Sequence, residues 1–114
     1  MHEISLVNNI FRSLEEELEP AQYKGLKRIQ LKIGELSGVE PVLLENAFSA
    51  YIEASDLADI KLDIKWLPTW VHCASCNEPF TVHRHRYICE RCNRPSNLIV
   101  QGEEMEISQV EFQD

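Results

Sequence analysis

Four cysteines carry the clearest chemistry in this 114-residue sequence. They stand as Cys73-Ala-Ser-Cys76 and Cys89-Glu-Arg-Cys92, two C-x2-C knuckles with twelve residues between them. Each knuckle bends so tightly that both of its thiolates aim at one centre. Two such turns, joined by a short hairpin, complete a tetrahedron with Zn–S bonds of about 2.3 Å. Four ligands leave no open position, so Cys73, Cys76, Cys89 and Cys92 are predicted to hold a structural zinc and not a catalytic one. Its binding energy, on the order of 10 kcal/mol, would stand in for a missing apolar core. C-x-x-C also serves as a redox dithiol, but there it sits singly where a strand meets a helix. This segment lacks that junction. No basic stretch followed by an apolar one opens the sequence, so export is not expected, and clustered cysteines then read as a metal site.

The second candidate is Met1-His2-Glu3. Enzymes that trim an initiator methionine need a small second residue, and histidine is large, so Met1 is expected to stay. That places a free α-amine one residue before an imidazole. The amine, the deprotonated amide of His2 and its imidazole can form fused chelate rings around one metal. Flat nitrogen donor sets suit Ni(II) or Cu(II). Both the amine, with a pKa near about 8, and the imidazole, near about 6.5, must lose their protons first. His72 abuts Cys73 and is placed for a spare-ligand role. Polar surface is the simpler reading for it, and for His83 and His85.

These residues need elements to position them. Val7, Ile10, Phe11, Leu14 and Leu18 recur at helical spacing, which predicts a helix over Ile4 to Leu18. Pro20 pushes Glu19 out of helical geometry and ends it. Ile29, Leu31 and Ile33 alternate with polar residues and predict a strand from Leu26. Gly34 and Gly38 bracket a turn, and Pro41 suits the first position of a second helix, over Leu43, Leu44, Ala47, Phe48, Tyr51 and Ile52, to about Ala54. Ile60, Leu62, Ile64 and Trp66 alternate as a second strand, closed by Pro68. Met105, Ile107, Val110 and Phe112 give a last strand, in which a bulge near Ser108, or a pair left in solvent, accounts for a slip in phase. The expected fold is α+β, a small three-stranded sheet covered by two helices with an inserted zinc-ribbon lobe. Residues 1–68 with 99–114 would form one domain, and residues 69–98 the inserted zinc-binding domain. Within that insertion Phe80, Val82, Tyr87 and Ile88 would supply two short strands against the site.

Composition narrows the function classes. No apolar run reaches the ~20 residues that cross a bilayer. Nineteen acids against eleven bases give a net charge of −8, which argues against nucleic acid or an anionic membrane as partner. The insertion alone is locally basic, through Arg84, Arg86, Arg91 and Arg94 against Glu78 and Glu90. Zinc with four thiolates cancels that surplus. A zinc-ribbon adaptor for a protein or nucleic acid is the alternative function. The cytoplasm is the expected location.

The opening Met-His-Glu-Ile-Ser-Leu, the segment Leu31-Lys-Ile-Gly-Glu-Leu-Ser-Gly-Val-Glu40 and the paired knuckles together resemble the HypA/HybF family of hydrogenase maturation factors. The resemblance runs from Met1 to the last strand. It implies a nickel metallochaperone with no catalytic residues, which passes Ni(II) to the large subunit of [NiFe]-hydrogenase together with the GTPase HypB. It also implies residue roles. His2 would be the nickel ligand, the Met1 amine and the backbone amides of His2 and Glu3 would complete the plane, and the four cysteines would bind zinc. Some relatives carry a histidine just after each knuckle. Here those positions are Asn77 and Asn93.

Overall fold

The first turn of helix α1 (Glu3–Glu17) begins a face on which Leu6, Val7, Ile10, Phe11 and Leu14 are buried. The computed structural model describes residues 3–57 and 59–113. Pro20 does end α1, as its ring demands, and it also starts a second, five-residue helix, α2 (Pro20–Lys24), that the periodicity does not reveal. Glu19 holds an extended backbone, and its N–H donates to Gln22 Oε1 at 3.0 Å while its side chain returns a bond to Gln22. That reciprocal cap makes a helix of a stretch too short to show a hydrophobic period.

Strand β1 (Leu26–Gly34) follows, and a single 3-10 turn (Glu35–Ser37) leads to helix α3 (Pro41–Glu53). After it come β2 (Lys61–Leu67), β3 (Trp70–Cys73), β4 (Glu78–Thr81), β5 (Leu98–Gln101) and β6 (Met105–Phe112). The strands make two sheets of three, in the orders β2-β1-β6 and β4-β3-β5. The first is the sheet expected from the alternating segments. Its central strand is β1, whose Leu26, Ile29, Leu31 and Ile33 are buried while the residues between them are not. β6 runs antiparallel to β1, since Gln113 bonds Gly25 and Ser108 bonds Gln30 in opposed order. In β6 the half-buried positions are Ile107 and Val110, and Met105 and Phe112 are the apolar residues left in solvent.

Two compact units divide the chain. One holds Met1–Lys32, Gly38–Lys65 and Glu106–Asp114, and the other Ile33–Ser37 and Trp66–Met105. In the first, Phe11 stacks on Tyr51 with ring centroids 4.2 Å apart and meets Phe48 at 5.6 Å, which joins α1 to α3. Burial and the hydrogen bond that its O–H makes to Tyr51 push the Tyr23 hydroxyl up to about 12, so it stays neutral. On α3 only Leu44 and Phe48 are buried, and Leu43, expected on the inner face, is 53% exposed. The apolar stripe of this helix is therefore narrower than its composition suggests.

The second unit contains the second sheet, of three strands where the sequence predicts only two short ones. Of the four residues expected in short strands there, Phe80 lies in β4, while Val82, Tyr87 and Ile88 lie outside the strands. Each strand has only four residues, too few for alternation to be read. Gly34 is essential to this unit. A Cβ there would lie 2.0 Å from the Gly102 carbonyl oxygen, because Gly34 N–H donates to Glu104 O and Leu36 N–H to Gly102 O. Beside them Thr69, 1% exposed, donates its N–H and hydroxyl to Glu35 Oε2.

Two glycine substitutions separate steric from conformational need. Gly34→Ala should cost about 2–3 kcal/mol in urea unfolding, since backbone must move to admit the methyl. Gly38 has open space around it but φ +79, so Gly38→Ala should cost about 1 kcal/mol, and Gly38→Asn less. Equal losses for both alanine variants would contradict this account.

Candidate metal centre

The four cysteine sulfurs converge. Sγ atoms of Cys73, Cys76, Cys89 and Cys92 all lie within 4.8 Å of one another. Cys73 and Cys92 are 3.5 Å apart, and Cys76 and Cys89 3.9 Å. A tetrahedron of 2.3 Å metal–sulfur bonds has edges of about 3.8 Å, so the spacing fits one ion at the centre. A disulfide needs sulfurs at about 2.05 Å, and all four thiols are free.

Backbone geometry explains why each knuckle closes. Cys73 ends β3, and Asn77 follows the first knuckle with φ 56. Asn93 follows the second with φ 60. In each turn that asparagine's N–H donates to the first cysteine's carbonyl, Asn77 to Cys73 and Asn93 to Cys89, both at 2.7 Å. Asparagine is among the few residues with a side chain that visit the left-handed region readily. The sequence reading noted both residues only as places where relatives carry histidine. Their shared position after C-x2-C was the available signal for a left-handed turn.

An apolar shell encloses the sulfurs. Val71 and Phe80 are buried with Cys73 and Cys89, and Val82, Tyr87 and Ile99 pack against them. The thiols differ in acidity for local reasons. The Cys92 backbone N–H draws Cys89 down to about 7, against the opposing effect of burial. Burial pushes Cys92 up to about 12. Sulfurs this close cannot all ionise unaided, and a dication would offset their charge. The donor set suits a closed zinc site, and tetrahedral sulfur also suits iron.

Arg91, inside the second knuckle, was not singled out as a functional residue by the sequence. Its Nη2 donates to the carbonyls of Glu78 and Pro79, both at 3.3 Å, and the nearby Cys76 thiol holds its charge more firmly. The histidines stay apart from the sulfurs. His72 lies between Val71 and Cys73 in β3, so its side chain leaves by the opposite face from theirs. Among the described residues the ligand cluster holds the four cysteines and no histidine. His83 lies 3.0 Å from Thr81 Oγ1, and its partner across the tip is Arg86. Arg84 and His85 take the two left-handed positions of that tip, with φ 53 and 61.

At the other candidate site, Met1 and His2 lie outside the described residues. Glu3 opens α1, and its carboxylate accepts the Glu40 N–H at 3.0 Å, just before α3. The sequence reading gave Glu3 a role through its backbone amide alone. Its side chain ties the starts of two helices together.

The chain was compared with known proteins. It matches the family described as hydrogenase/urease nickel incorporation, metallochaperone, hypA, over residues 1–112. The hydrogenase maturation factor HypA of Desulfitobacterium hafniense is 33% identical over 114 residues, all of both chains. That of Chloroflexus aurantiacus is 34% identical over 112 residues, 97% of this chain and 98% of its own. The solution structure of the Ni metallochaperone HypA from Helicobacter pylori superposes with a TM-score of 0.67 at 29% identity, covering 99% of this chain and 98% of that one. A second solution structure, of a HypA protein, gives 0.70 at 31% identity, with 98% and 96% covered. The chain belongs to the HypA family of hydrogenase and urease nickel-incorporation metallochaperones.

Proposed function

We propose that this chain captures Ni(II) at Met1, His2 and Glu3 and delivers it to the large subunit of [NiFe]-hydrogenase, with the GTPase HypB as its working partner. Cys73, Cys76, Cys89 and Cys92 hold Zn(II) as a structural ion. No residue acts as a catalyst, and neither nucleic acid nor membrane is a partner. The cytoplasm is the place of action. The nickel-binding domain comprises residues 1–68 and 99–114, and the zinc-binding insertion residues 69–98. The observation that carries this reading is that the family match begins at residue 1 and so takes in Met1-His2-Glu3.

The chemistry of the terminus supports it. The α-amine of Met1, the imidazole of His2 and the backbone amides of His2 and Glu3 offer four nitrogens. Square-planar Ni(II) accepts such a set. Each amide and each protonated donor gives up a proton as the metal enters, so binding is reversed by acid. The Glu3 side chain, held at Glu40 N–H, anchors the residue that follows Met1 and His2 in sequence. Cargo held by a chain end has few protein contacts to break, so a partner can take over its ligands one at a time.

His2→Ala removes the side-chain donor and should weaken nickel binding at least tenfold, ~1.4 kcal/mol. A glycine added before Met1 keeps every side chain and moves only the amine, and it should abolish stoichiometric nickel too. Both variants should keep one zinc per chain and a wild-type circular dichroism spectrum. A glycine-extended protein that binds one Ni(II) with native affinity and a planar, diamagnetic spectrum would refute the terminal-amine site. Nickel affinity should fall as pH drops through the range of the two donors, about 8 to 6.5, because protonated amine and imidazole cannot bind metal.

Zinc makes its own test. A strong chelator should remove one zinc per chain and unfold residues 69–98, while the helical signal of α1 and α3 survives. The apolar cluster there is too small to hold by itself. Protein made under reducing conditions that carries an intramolecular disulfide and no zinc would reject the assignment.

A further inference from the structure

Arg91 stands in the second knuckle, yet its side chain reaches across to the first. Its Nη2 donates to the carbonyl oxygens of Glu78 and Pro79, each at 3.3 Å. Those are the first two residues of β4, the strand by which the chain leaves the first knuckle. These bonds set its cationic guanidinium near the first knuckle, whose second ligand, Cys76, holds that charge more firmly. One side chain thus joins the two halves of the donor set and brings a positive charge to one of them.

Charge gives this placement a consequence. Zinc with four thiolates leaves a site of charge −2, and a guanidinium against one sulfur offsets part of it. A cation near a thiolate also lowers that sulfur's nucleophilicity. Exposure makes this matter most at Cys76. Cys73 and Cys89 are buried, whereas Cys76 and Cys92 are partly open to solvent. A reagent from solution meets those two first, and Arg91 guards only one of them.

We propose that Arg91 is a positioning residue of the four-sulfur centre, clamping the second knuckle to the strand that leaves the first and shielding Cys76, so that bound zinc is retained. The proposal rests on the zinc assignment above. Arg91 also approaches the Glu78 carboxylate, with Nε and Oε2 3.8 Å apart, but that carboxylate side chain is 67% exposed. Such a surface pair contributes little. Retention therefore comes from the carbonyl bonds and from the positive charge they set near Cys76.

The test uses the full-length, zinc-loaded protein. Zinc transfer to excess EDTA is followed with a chromophoric indicator, and limited alkylation by iodoacetamide is mapped by mass spectrometry. In wild type, Cys92 should be alkylated ahead of Cys76. Arg91→Gln should speed zinc transfer tenfold or more and bring Cys76 level with Cys92 or ahead of it. Glu78→Gln should match wild type within twofold in both readouts. An Arg91→Gln transfer rate within twofold of wild type overturns the proposal. So does faster transfer with the Cys76 to Cys92 ratio unchanged, because general loosening would expose both alike. Should the glutamine variant fail to fold, Arg91→Lys decides, since it keeps the charge but cannot span both carbonyls. A transfer rate two- to tenfold above wild type then supports the clamp, and an unchanged rate overturns it. Wild-type protein that carries no zinc would overturn the zinc assignment itself, a separate result.

Discussion

The convergence of four thiols within 4.8 Å is the constraint on which the second unit depends. Its sheet has three strands of four residues each, and the buried apolar residues packed with the cysteines are Val71 and Phe80. That much apolar area cannot offset the entropy of ordering some forty residues, at roughly 1.5 kcal/mol each. The remaining stabilisation comes from ligands drawn to one point. Everything local serves that convergence. Asn77 and Asn93 accept left-handed backbone so that each knuckle turns within four residues, and Ser96 Oγ donates to the His72 carbonyl at 2.6 Å, fastening the chain after the second knuckle to the strand before the first.

The first unit is held differently. Its buried residues come mostly from α1, β1 and α3, joined by Val39 and Ile60, and the ring of Phe11 meets both Phe48 and Tyr51. Hydrophobic burial suffices there, at about 25 cal/mol per Å². On the polar face of its sheet, Arg28 reaches Asp63 at 2.6 Å and Glu111 at 3.4 Å, from β2 and β6 on either side. With side chains a third to a half exposed, these pairs fix which residues stand opposite more than they add stability. Unit 1 therefore folds on apolar area and unit 2 on a metal centre, within one chain of 114 residues.

Legibility in the sequence followed this difference. Where apolar area governs, period reports it: α1, β1, α3 and β2 were readable from spacing, because each presents a repeated face to one core. Leu43 was misplaced because α3 buries a stripe only one residue wide per turn, and neighbouring apolar residues do not reveal that narrowness. Where ligands govern, residue type reports the site, and C-x2-C twice located the cluster. Of the second sheet's strands only β4 was foreshadowed, through Phe80, and β3 and β5 went unread, since four-residue strands fixed by a metal need no alternation. α2 was hidden because a cap and not a hydrophobic face maintains it. Glu35, Thr69 and the Gly34–Gly102 approach left no local trace either. A carboxylate bonded to a backbone N–H thirty-four positions away is a tertiary fact.

The two metal sites, as proposed, differ in the way a carrier requires. Four thiolates from two knuckles surround their ion on all sides, in a shell lined by Val71, Phe80 and Tyr87. Release there means unfolding the unit that the ion holds together, so exchange is slow. At the terminus the donors are nitrogens on a chain end, and Glu3 is fastened there by its side chain to the Glu40 N–H. Release there costs no fold. Softness separates the metals further, because thiolate favours tetrahedral zinc while amine, amide and imidazole nitrogens favour planar nickel. Affinity order alone would not keep the two ions apart, since Ni(II) and Zn(II) lie close together in it. Geometry does. A tetrahedron of sulfurs locked by backbone turns resists the square plane that nickel prefers, and a flat nitrogen set resists the tetrahedron that zinc prefers. The chain can then hold its structural ion permanently while its cargo comes and goes.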